Sequence, residues 1–410
     1  MVGSAPPLDS AQQRVVDHPG GPLLVLAGPG TGKTTTIVEA IVDRIEKRGA
    51  PAESVLALTF SRKAAEHLRD SVSARLGRTT QALVCSTFHS FAYALVRQHS
   101  APEQYAAPLR LLSSAEQDVI VRELLARGDE SVRWPPELAA AVGTRGFATE
   151  VAAVLARTQE KGLGFDRLRA LGTTGDRPEL AAAADFMEQY DAVLTEQNLL
   201  DYPGLIAQAV SLLQDPTNLA RDALRARFQH VFVDEYQDTD PSQVALLKAV
   251  AGDGRNLVAV GDPHQSIYAF RGADLRGIMQ FPTSFPTSAG APAEVVTLDT
   301  TRRFGEQILT ASQRIAGRLG LPGGIPPSAR AAFAQPRVEA QAPPGRVEVR
   351  VFDTERAEGE HVADLLRRAH LEHGIAWSDM AVLVRSGRTT LPGVRRLLGA
   401  AGVPVEVAAD

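Results

Sequence analysis

A glycine-rich run near the N-terminus carries residue types that bind phosphate. It reads Ala27-Gly-Pro-Gly-Thr-Gly-Lys-Thr34, with Ala where the usual pattern has Gly. Apolar Leu23–Leu26 precedes it and Thr35–Arg48, with a one-sided apolar face, follows it, which predicts a strand, a turn and a helix. Backbone N–H groups of such a turn hold phosphate oxygens, and a lysine and a hydroxyl add a positive charge and a magnesium ligand. The expected phosphate-binding residues are Ala27, Gly28, Pro29, Gly30, Thr31, Gly32, Lys33, Thr34 and Thr35.

A second segment supplies acids at the end of an apolar strand. The run Val231-Phe-Val-Asp-Glu-Tyr-Gln-Asp238 places Asp234 and Glu235 side by side. By themselves, acids at a strand end often form only a solvated turn or a helix cap. Asp240, with Pro241 behind it and Gln243 three residues on, does predict a helix start. Combined with the glycine-rich run, however, the pair suits an aspartate that holds Mg²⁺ with Thr34 and a glutamate that orients water. The sequence therefore predicts binding and hydrolysis of a nucleoside triphosphate.

Composition excludes several protein classes. The chain has 410 residues, 44% of them hydrophobic and 22% charged, so it should divide into two to four domains. It has no apolar run long enough to span a bilayer and no secretory signal, so a cytoplasmic protein is expected. The single cysteine, Cys85, excludes an internal disulfide and is expected to be a buried strand thiol. A net charge of −5 neither indicates nor excludes nucleic-acid binding.

Strand-like and helical segments alternate along the chain. This alternation predicts an α/β fold with a parallel sheet flanked by helices. Between Phe88 and His230 no convincing strand appears, and Ala-rich helical patterns such as Ser114–Ala126, Thr149–Lys161 and Leu180–Leu194 predict an all-helical insertion. The predicted strands are Leu23–Leu26, Val55–Phe60, Ala82–Phe88, His230–Asp234, Leu257–Gly261 and Val295–Leu298.

Pro and Gly cluster at 281–292 and 321–345, where a hinge or linker is expected. Beyond them the pattern predicts the start of a second α/β domain. Its expected elements are strands at Arg346–Val351, Met380–Arg385 and Val403–Val407 and helices around Glu358–His373 and Val394–Gly402. Because no closing elements follow, we expect the chain to be part of a longer protein.

The segment Val258–Ala273, together with Asp-Glu-Tyr-Gln-Asp, resembles the UvrD/PcrA/Rep-type superfamily 1 DNA helicases. Further motifs match in order: Leu8–Gln12 resembles the Q-motif, Leu56–Ala65 motif Ia, Ser86–Phe91 the next DNA-contacting motif and Leu298–Arg303 motif IV. The resemblance implies a RecA-like P-loop domain, in two parts, with a helical insertion and part of a second RecA-like domain. The implied bounds are 1–97 and 201–290 for the first domain, 98–200 for the insertion and 291–410 for the second domain.

On the nucleotide side, the resemblance implies ATP and Mg²⁺ as cofactors. Phosphoryl transfer needs neutralised phosphates, a metal ion and a positioned water. Lys33 and Glu235 match the first and last of these needs, and Gln265 would sense the γ-phosphate. Arg303 would act as an arginine finger from the second domain. Gln12 would read adenine, and Arg302 takes the place of the aromatic residue expected to stack on that base.

On the DNA side, the resemblance implies grip on single strands by aromatic stacking, which is worth about 1–3 kcal/mol per base. The implied stacking residues are Phe60, Phe88, Tyr268 and Phe270, the last standing where the family usually has Trp. Core packing is the alternative for each ring, and for Phe60 and Phe88 the two alternatives are about equal. Polar contacts to DNA are expected from Arg62, Lys63, His89 and Arg271, whereas no role is assigned to His264.

The resemblance therefore implies an ATP-dependent helicase acting on single-stranded and duplex DNA in repair, with 3′→5′ polarity. Within the family, Thr-Arg-Arg-Phe-Gly305 and Trp377–Ser386 look closer to actinobacterial AdnAB helicase–nucleases, which implies a paralogous partner subunit and a role in double-strand break resection. The alternatives are a stand-alone repair helicase and a non-hydrolysing structural subunit. Because motifs V and VI are missing, this chain by itself is expected to bind ATP but to hydrolyse it feebly.

Overall fold

The computed structural model of the chain describes residues 7–78, 82–99, 109–268, 273–320 and 323–407. Its strands, in chain order, are Pro22–Ala27 (β1), Val55–Thr59 (β2), Val84–Thr87 (β3), Arg110–Leu111 (β4), Leu199–Leu200 (β5), His230–Val233 (β6), Leu257–Gly261 (β7), Glu294–Leu298 (β8), Thr300–Thr301 (β9) and Arg337–Val338 (β10). Six of them form the main sheet, in the order β3-β2-β6-β7-β1-β8, with every pair parallel. The six strands predicted from the apolar runs are all confirmed.

Successive side chains of each central strand pack alternately in two separate hydrophobic cores, one on each face of the sheet. Leu24 and Leu26 of β1 pack in one core, whereas Leu23, Val25 and Ala27 pack in the other. All six residues of β1 are buried, which explains why the strand reads as a continuous apolar run. Because all strands of the sheet are parallel, their carboxyl ends lie along one edge, where the chain must place any site built from strand ends.

Helices cover both faces of this sheet. The helices are Ser10–Asp17 (α1), Lys33–Val42 (α2), Arg62–Leu76 (α3), Phe88–His99 (α4), Ser114–Arg127 (α5), Arg145–Glu160 (α6), Phe165–Thr174 (α7), Pro178–Glu196 (α8), Tyr202–Gln214 (α9), Ala220–Arg227 (α10), Pro241–Ala251 (α11), Leu275–Ser284 (α12), Glu306–Ala316 (α13), Pro327–Ala334 (α14), Glu355–His373 (α15) and Gly387–Ala400 (α16). Helices α1 to α3 share one core with the sheet, and α4, α9, α11 and α12 share the other. The predicted start of α11 is confirmed, because Asp240 caps it and Pro241 is its first residue. These layers confirm the predicted α/β fold class.

Helices α5 to α8 form a separate helical layer with its own core. Val121, Leu155, Phe186 and Tyr190 are among its buried residues. The two-stranded pair β4–β5 closes the base of this layer, since Arg110 pairs with Leu199 where the chain enters and leaves it. Helices α5 to α8 lie between β3 and β6, in the stretch where an all-helical insertion was predicted, but β4 and β5 are strands where none was predicted.

The chain divides into two compact units, Met1–Gly345 and Arg346–Asp410. The first unit extends past residue 290, because β8 adds to the main sheet beside β1 and β9 pairs with β10. In the second unit, α15 and α16 pack around Ala363, Leu398 and Val403. The strands predicted at 346–351, 380–385 and 403–407 are absent from the described residues of this unit. Val349 and Val351 are about nine-tenths exposed, so the alternating pattern there pairs with no neighbour.

Two expectations from composition concern single features. No helix among the described residues is long and apolar enough to cross a membrane. Cys85 lies buried in β3, as predicted, and burial raises the pKa of its thiol to about 11. A thiol in that state is inert, so Cys85 is a packing residue.

Candidate nucleotide site and nucleic-acid interface

The glycine-rich turn joins β1 to α2 at the carboxyl edge of the sheet. Gly30 and Gly32 have φ values of 76° and 86°, in the left-handed region that favours glycine. Gly32 caps α2, so Lys33 is the first residue of that helix and Thr34 and Thr35 lie in its first turn. The N–H groups of a helix start have no partner within the helix and attract anions. The turn therefore has the predicted form of a phosphate cradle, hereafter the P-loop (residues 28–32).

The carbonyl groups of the P-loop accept hydrogen bonds from residues outside the loop. Thr301 Oγ1 donates to the Pro29 carbonyl at 2.9 Å, and the Arg302 N–H donates to the Gly30 carbonyl at 2.9 Å. The Thr31 carbonyl accepts from Gln12 Nε2 at 3.2 Å. Three consecutive carbonyls thus bond to side chains or backbone outside the loop.

The two acids follow β6 and occupy different environments. Asp234 continues the ladder, its N–H donating to the Leu58 carbonyl at 2.9 Å. Burial, and next the charge of Glu235, raise the pKa of Asp234 to about 6. Glu235 has φ 52°, which is rare for a residue with a side chain and is the kind of strain found at functional sites. Glu235 Oε2 lies 3.4 Å from Lys33 Nζ, so the predicted lysine and glutamate form an ion pair.

A buried amide connects Glu235 to the loop after β7. Gln237 is 1% exposed, and its Nε2 donates to Glu235 Oε2 at 2.8 Å. Its Oε1 accepts from the Asp262 N–H at 2.9 Å. Asp262 in turn accepts from Gln265 Nε2 at 2.6 Å. Because β7 lies between β6 and β1 in the sheet, this chain of contacts brings the predicted sensor Gln265 towards the P-loop.

Gln12 and Arg302 lie together beside the P-loop. Gln12 is 3% exposed, and its Oε1 accepts from the Asp9 N–H at 3.1 Å while its Nε2 bonds Thr31. Arg302 Nη2 donates to Asp9 Oδ2 at 2.8 Å, and Arg302 Nε lies 3.3 Å from Glu339 Oε1. The guanidinium is thus fixed edge-on by two carboxylates. In the conformation described, both side chains are engaged with protein groups.

Arg303 belongs to the same compact unit as the P-loop. The placement expected from the resemblance, in a second domain, is therefore not what the structure shows, because β8 carries the segment into the main sheet. A Cβ added to Gly30 would lie 2.5 Å from Arg303 Cβ, so the two backbones are in close contact. The Arg303 side chain is exposed and has no ion-pair or hydrogen-bond partner among the described residues.

A cleft of about 470 Å³ opens beside the P-loop. Its walls come from the P-loop, from the loop after β7 with Asp262 and Gln265, and from α13 and α14. A cavity of this size suits a small-molecule ligand. Of the predicted phosphate-binding residues, Gly28, Pro29 and Thr31 line this cavity together with the predicted sensor Gln265.

The residues present fit a magnesium ion. No three His, Cys, Asp or Glu side chains of the described residues cluster as a metal site by themselves. However, Asp234 is a half-buried carboxyl whose Oδ1 accepts from the Glu235 N–H at 2.9 Å, and Thr34 is half-buried in the first turn of α2. Hard oxygen ligands of this kind, with phosphate oxygens and water, are the set that Mg²⁺ prefers. Asp234 and Thr34 would hold it.

Two of the predicted DNA-contacting rings stack on each other. The centroids of Phe60 and Tyr268 lie 4.3 Å apart with 27° between the ring planes. Both rings are half-buried, and they follow β2 and β7 at the same edge of the sheet. Arg62 and Lys63 are exposed at the start of α3, next to Phe60. Phe270 and Arg271 lie outside the described residues.

Phe88 and His89 begin α4, one strand further along this edge. Phe88 is 3% exposed and packs in the core with Phe91 and Ala92, so the structure assigns it to core packing rather than to base stacking. His89 is partly buried, and burial lowers the pKa of its imidazole. At neutral pH His89 is therefore uncharged and suits a hydrogen bond better than an ion pair with phosphate.

Several site residues had no assigned role in the sequence. Gln237 and Thr301 lie inside quoted motifs, but only tertiary contacts reveal what their side chains bond. Tyr202 is 44% exposed, and its ring lies 5.7 Å from His89. The sequence feature that could have indicated Tyr202 is its position directly after Asp201, the N-cap of α9, because side chains at a helix start tend to be accessible. Tyr202 and His89 thus form a second aromatic pair.

Comparison with known proteins identifies similar chains. Residues 8–286 match the family described as UvrD/REP helicase N-terminal domain. The chain is 30% identical to the ATP-dependent DNA helicase UvrD1 of Mycobacterium tuberculosis (strain ATCC 25618 / H37Rv), over 98% of this chain and 49% of the relative. It is 26% identical to the ATP-dependent DNA helicase PcrA of Staphylococcus epidermidis (strain ATCC 12228 / FDA PCI 1200), over 92% of this chain and 48% of the relative. For the DNA helicase II of Escherichia coli (strain K12), the identity is 28% over 76% of this chain and 41% of the relative. The chain thus spans about half the length of these relatives.

Proposed function

The chain belongs to the UvrD/REP helicase family, and from this premise we propose that it carries the ATP-hydrolysing motor of a DNA helicase that moves along single-stranded DNA. One observation carries the proposal. Lys33 directly after the P-loop, Glu235 and Gln265 come from three distant parts of the sequence and are linked by a chain of contacts through Gln237 and Asp262. The same segment that ends this chain of contacts continues to Tyr268, which stacks on Phe60. A nucleotide site and an aromatic edge are therefore connected by a few residues.

The P-loop would bind the triphosphate through its N–H groups, with Lys33 against the β- and γ-phosphates. Lys33 is paired with Glu235 in the structure, so an arriving phosphate would take Lys33 from that carboxylate. Thr34 and Asp234 would hold Mg²⁺, which when bound neutralises phosphate charge and polarises the γ-phosphoryl group. Glu235, released from Lys33 but still bonded to Gln237, would orient the attacking water.

Gln265 and Arg303 would both act on the γ-phosphate. Arg303 has no partner among the described residues, so its guanidinium is available for the charge that develops during phosphoryl transfer. Gln265 bonds Asp262, and loss of the γ-phosphate would change that contact. Since Ser266 Oγ donates to the Gln237 carbonyl at 3.2 Å, a shift of this loop would move the segment that leads to Tyr268.

ATP is the proposed nucleotide, and repair of DNA is the proposed setting. The three relatives named above are called ATP-dependent DNA helicases or DNA helicase II. A 3′→5′ polarity and a role in double-strand break resection with a paralogous AdnAB-type subunit are the finer form of the proposal, and they rest on the resemblance at residues 301–305 and 377–386. A stand-alone repair helicase is the alternative, and a full-length product that cleaves no DNA would favour it.

The first test is ATP hydrolysis by the full-length gene product, with and without single-stranded DNA. We expect strong stimulation by DNA in the wild type and loss of turnover in Lys33→Ala. Lys47→Ala is the matched control, because Lys47 lies just beyond α2, its side chain is 74% exposed, and its ion pair is with Asp43 rather than with a nucleotide-site residue. Its turnover should equal that of the wild type.

The possible results separate the candidate functions. DNA binding without hydrolysis by the wild type would assign the protein to the class of structural subunits, although Lys33, Glu235 and Arg303 are all retained. Hydrolysis without any dependence on DNA would contradict the helicase proposal while leaving the nucleotide site intact. Strand displacement on substrates with a 3′ or a 5′ overhang would then determine the polarity.

A further inference from the structure

We propose that Thr301 is a positioning residue for nucleotide binding. With the backbone of Arg302, it holds the P-loop by its carbonyl groups, so that the N–H groups already face the phosphate position before a nucleotide arrives. This inference rests on the proposed function of the cleft, and it assigns to Thr301 a role that acts through the backbone of the P-loop. The segment Thr301–Arg303, hereafter the P-loop brace, provides the contacts.

The contacts of the brace are short and directed at the loop backbone. Thr301 is 1% exposed, and its hydroxyl donates to the Pro29 carbonyl at 2.9 Å. The next residue, Arg302, donates its N–H to the Gly30 carbonyl at 2.9 Å. A loop that offers its N–H groups to phosphate needs partners for its carbonyls elsewhere, because buried backbone groups are otherwise left unpaired. The brace supplies two such partners in succession.

The packing of the brace on the loop leaves no room for a side chain. A Cβ on Gly30 would lie 2.6 Å from Thr301 Oγ1 and 2.5 Å from Arg303 Cβ. The left-handed φ of Gly30 therefore coincides with a backbone contact that only glycine permits. On its other side, the brace is tied to β10, since the Arg337 N–H donates to the Asp299 carbonyl and the Glu339 N–H to the Thr301 carbonyl. The brace is thus fixed to the fold independently of the loop.

Preorganisation explains why such a contact affects binding. A free glycine-rich loop has many conformations, and ordering it opposes binding. A loop whose carbonyls are already hydrogen-bonded has lost that conformational freedom during folding, so the loss no longer opposes nucleotide binding. Arg303 belongs to the same brace. The packing of the brace on the P-loop therefore also fixes the position of the Arg303 backbone. Loss of the Thr301 hydroxyl should therefore weaken nucleotide binding and loosen the loop even when no nucleotide is present.

The experiment compares Thr301→Val with Thr301→Ser and with Thr300→Val in the full chain. Thr300→Val is a matched control, because the Thr300 hydroxyl bonds Asp299 Oδ1 at 3.0 Å and not the P-loop. Two quantities are measured: the Kd for ATP in the presence of Mg²⁺, and amide hydrogen exchange of the P-loop peptide without nucleotide. Urea unfolding shows whether each variant is folded, and Thr301→Ala replaces Thr301→Val if the latter is not.

We expect Thr301→Val to raise the Kd about three- to tenfold, the factor for one hydrogen bond, and to speed exchange in the P-loop. Thr301→Ser should restore both quantities, and Thr300→Val should leave both unchanged. Equal exchange and equal Kd for Thr301→Val and Thr300→Val would overturn the proposal. If the wild type binds no nucleotide, the proposed function fails, and P-loop exchange alone then decides the role of Thr301 in the same way.

Discussion

Glu235 has a side chain and a backbone that both depart from an ordinary strand end. Its left-handed φ of 52° turns the carboxylate towards Lys33, and Gln237 holds the same oxygen at 2.8 Å. In neighbouring Asp234, by contrast, burial disfavours the ionised carboxylate and so raises its pKa. The two adjacent acids are thus prepared for different tasks, one as a metal ligand and the other as a group that positions water.

Replacing Glu235 with Gln should separate binding from hydrolysis. The amide keeps the shape and the contact with Gln237, but it can no longer orient water as a base, so kcat should fall by a factor of about 10²–10⁴. Nucleotide affinity should be equal or tighter, because Lys33 loses its competing carboxylate partner. Steady-state turnover and a nucleotide titration measure the two effects. Glu46→Gln is the control, because Glu46 is an exposed residue of the π-helical segment Asp43–Lys47 that follows α2. Parallel loss of affinity and kcat would contradict this separation.

At this scale, the sequence predicts residues whose function is local. Lys33 and Asp234 are identifiable because a strand end fixes their position and their chemistry is specific to the side chain. Thr301 and Gln237 were not assigned, since their partners lie 272 and 25 residues away in the sequence. For Phe88 the sequence left two alternatives open, because an aromatic residue after a strand suits both a core and a stacking surface. The tertiary packing around the ring determines which of the two applies.

At the scale of elements, one buried carboxyl links the helical layer to the sheet. Asp201 caps α9 by accepting from the Gly204 N–H at 2.8 Å. It also accepts from Gln117 of α5 and from Tyr190 of α8, each at 3.2 Å. Asp201 is 2% exposed, and burial raises the pKa of its carboxyl. Three helices are therefore held at one point that carries an unfavourable charge at neutral pH.

This arrangement predicts a pH dependence of stability with a definite sign. Between its unfolded pKa and its raised folded pKa, Asp201 binds a proton in the folded state only, so the free energy of unfolding should fall as pH rises through that window. Asp201→Asn should remove this slope. Urea denaturation at a series of pH values measures it. Asp215→Asn is a control of opposite sign, because bonds from Thr217 lower the pKa of Asp215. An unchanged slope in Asp201→Asn would contradict the prediction.

The ring pair of Phe60 and Tyr268 predicts a coupled effect on DNA binding. Alanine at either position should weaken single-stranded DNA binding about tenfold, since base stacking contributes about 1–3 kcal/mol. Because the rings contact each other, the double variant should lose less than the product of the two single losses. Fluorescence anisotropy with an oligonucleotide measures the cycle, and the Kd for ATP serves as the control. Strictly multiplicative losses would show that the rings act independently.

Elements differ in how well the sequence predicts them. The strands of the main sheet were found because apolar runs buried on both faces have few alternatives. The segment 346–351 alternates as a strand does but forms none. A strand needs a neighbouring strand to pair with, and the alternation of side chains within one segment does not show whether such a neighbour exists. Val349 remains exposed as a result.

For the whole molecule, the decisive boundary is the one at residue 345. Strand β8 covers the edge of β1, and the P-loop brace follows it directly. A domain division at residue 290, which the resemblance implies, would remove both from the domain that contains the P-loop. The contacts of Thr301 and Arg302 with the loop favour a nucleotide-binding unit that extends to Gly345.

Two truncations distinguish these boundaries. A chain of residues 1–345 keeps every described nucleotide-site residue and both cores of the sheet, so it should unfold cooperatively and bind ATP within about twofold of the 1–410 chain. A chain of residues 1–290 exposes the edge of β1 and leaves two P-loop carbonyls, those of Pro29 and Gly30, without their partners Thr301 and Arg302. It also loses the bond from Arg302 to Asp9. It should lose nucleotide binding or fail to fold. Calorimetric titration with ATP and Mg²⁺ after circular dichroism measures both properties. Tight binding by the 1–290 chain would show that the brace is dispensable and would restore residue 290 as the boundary.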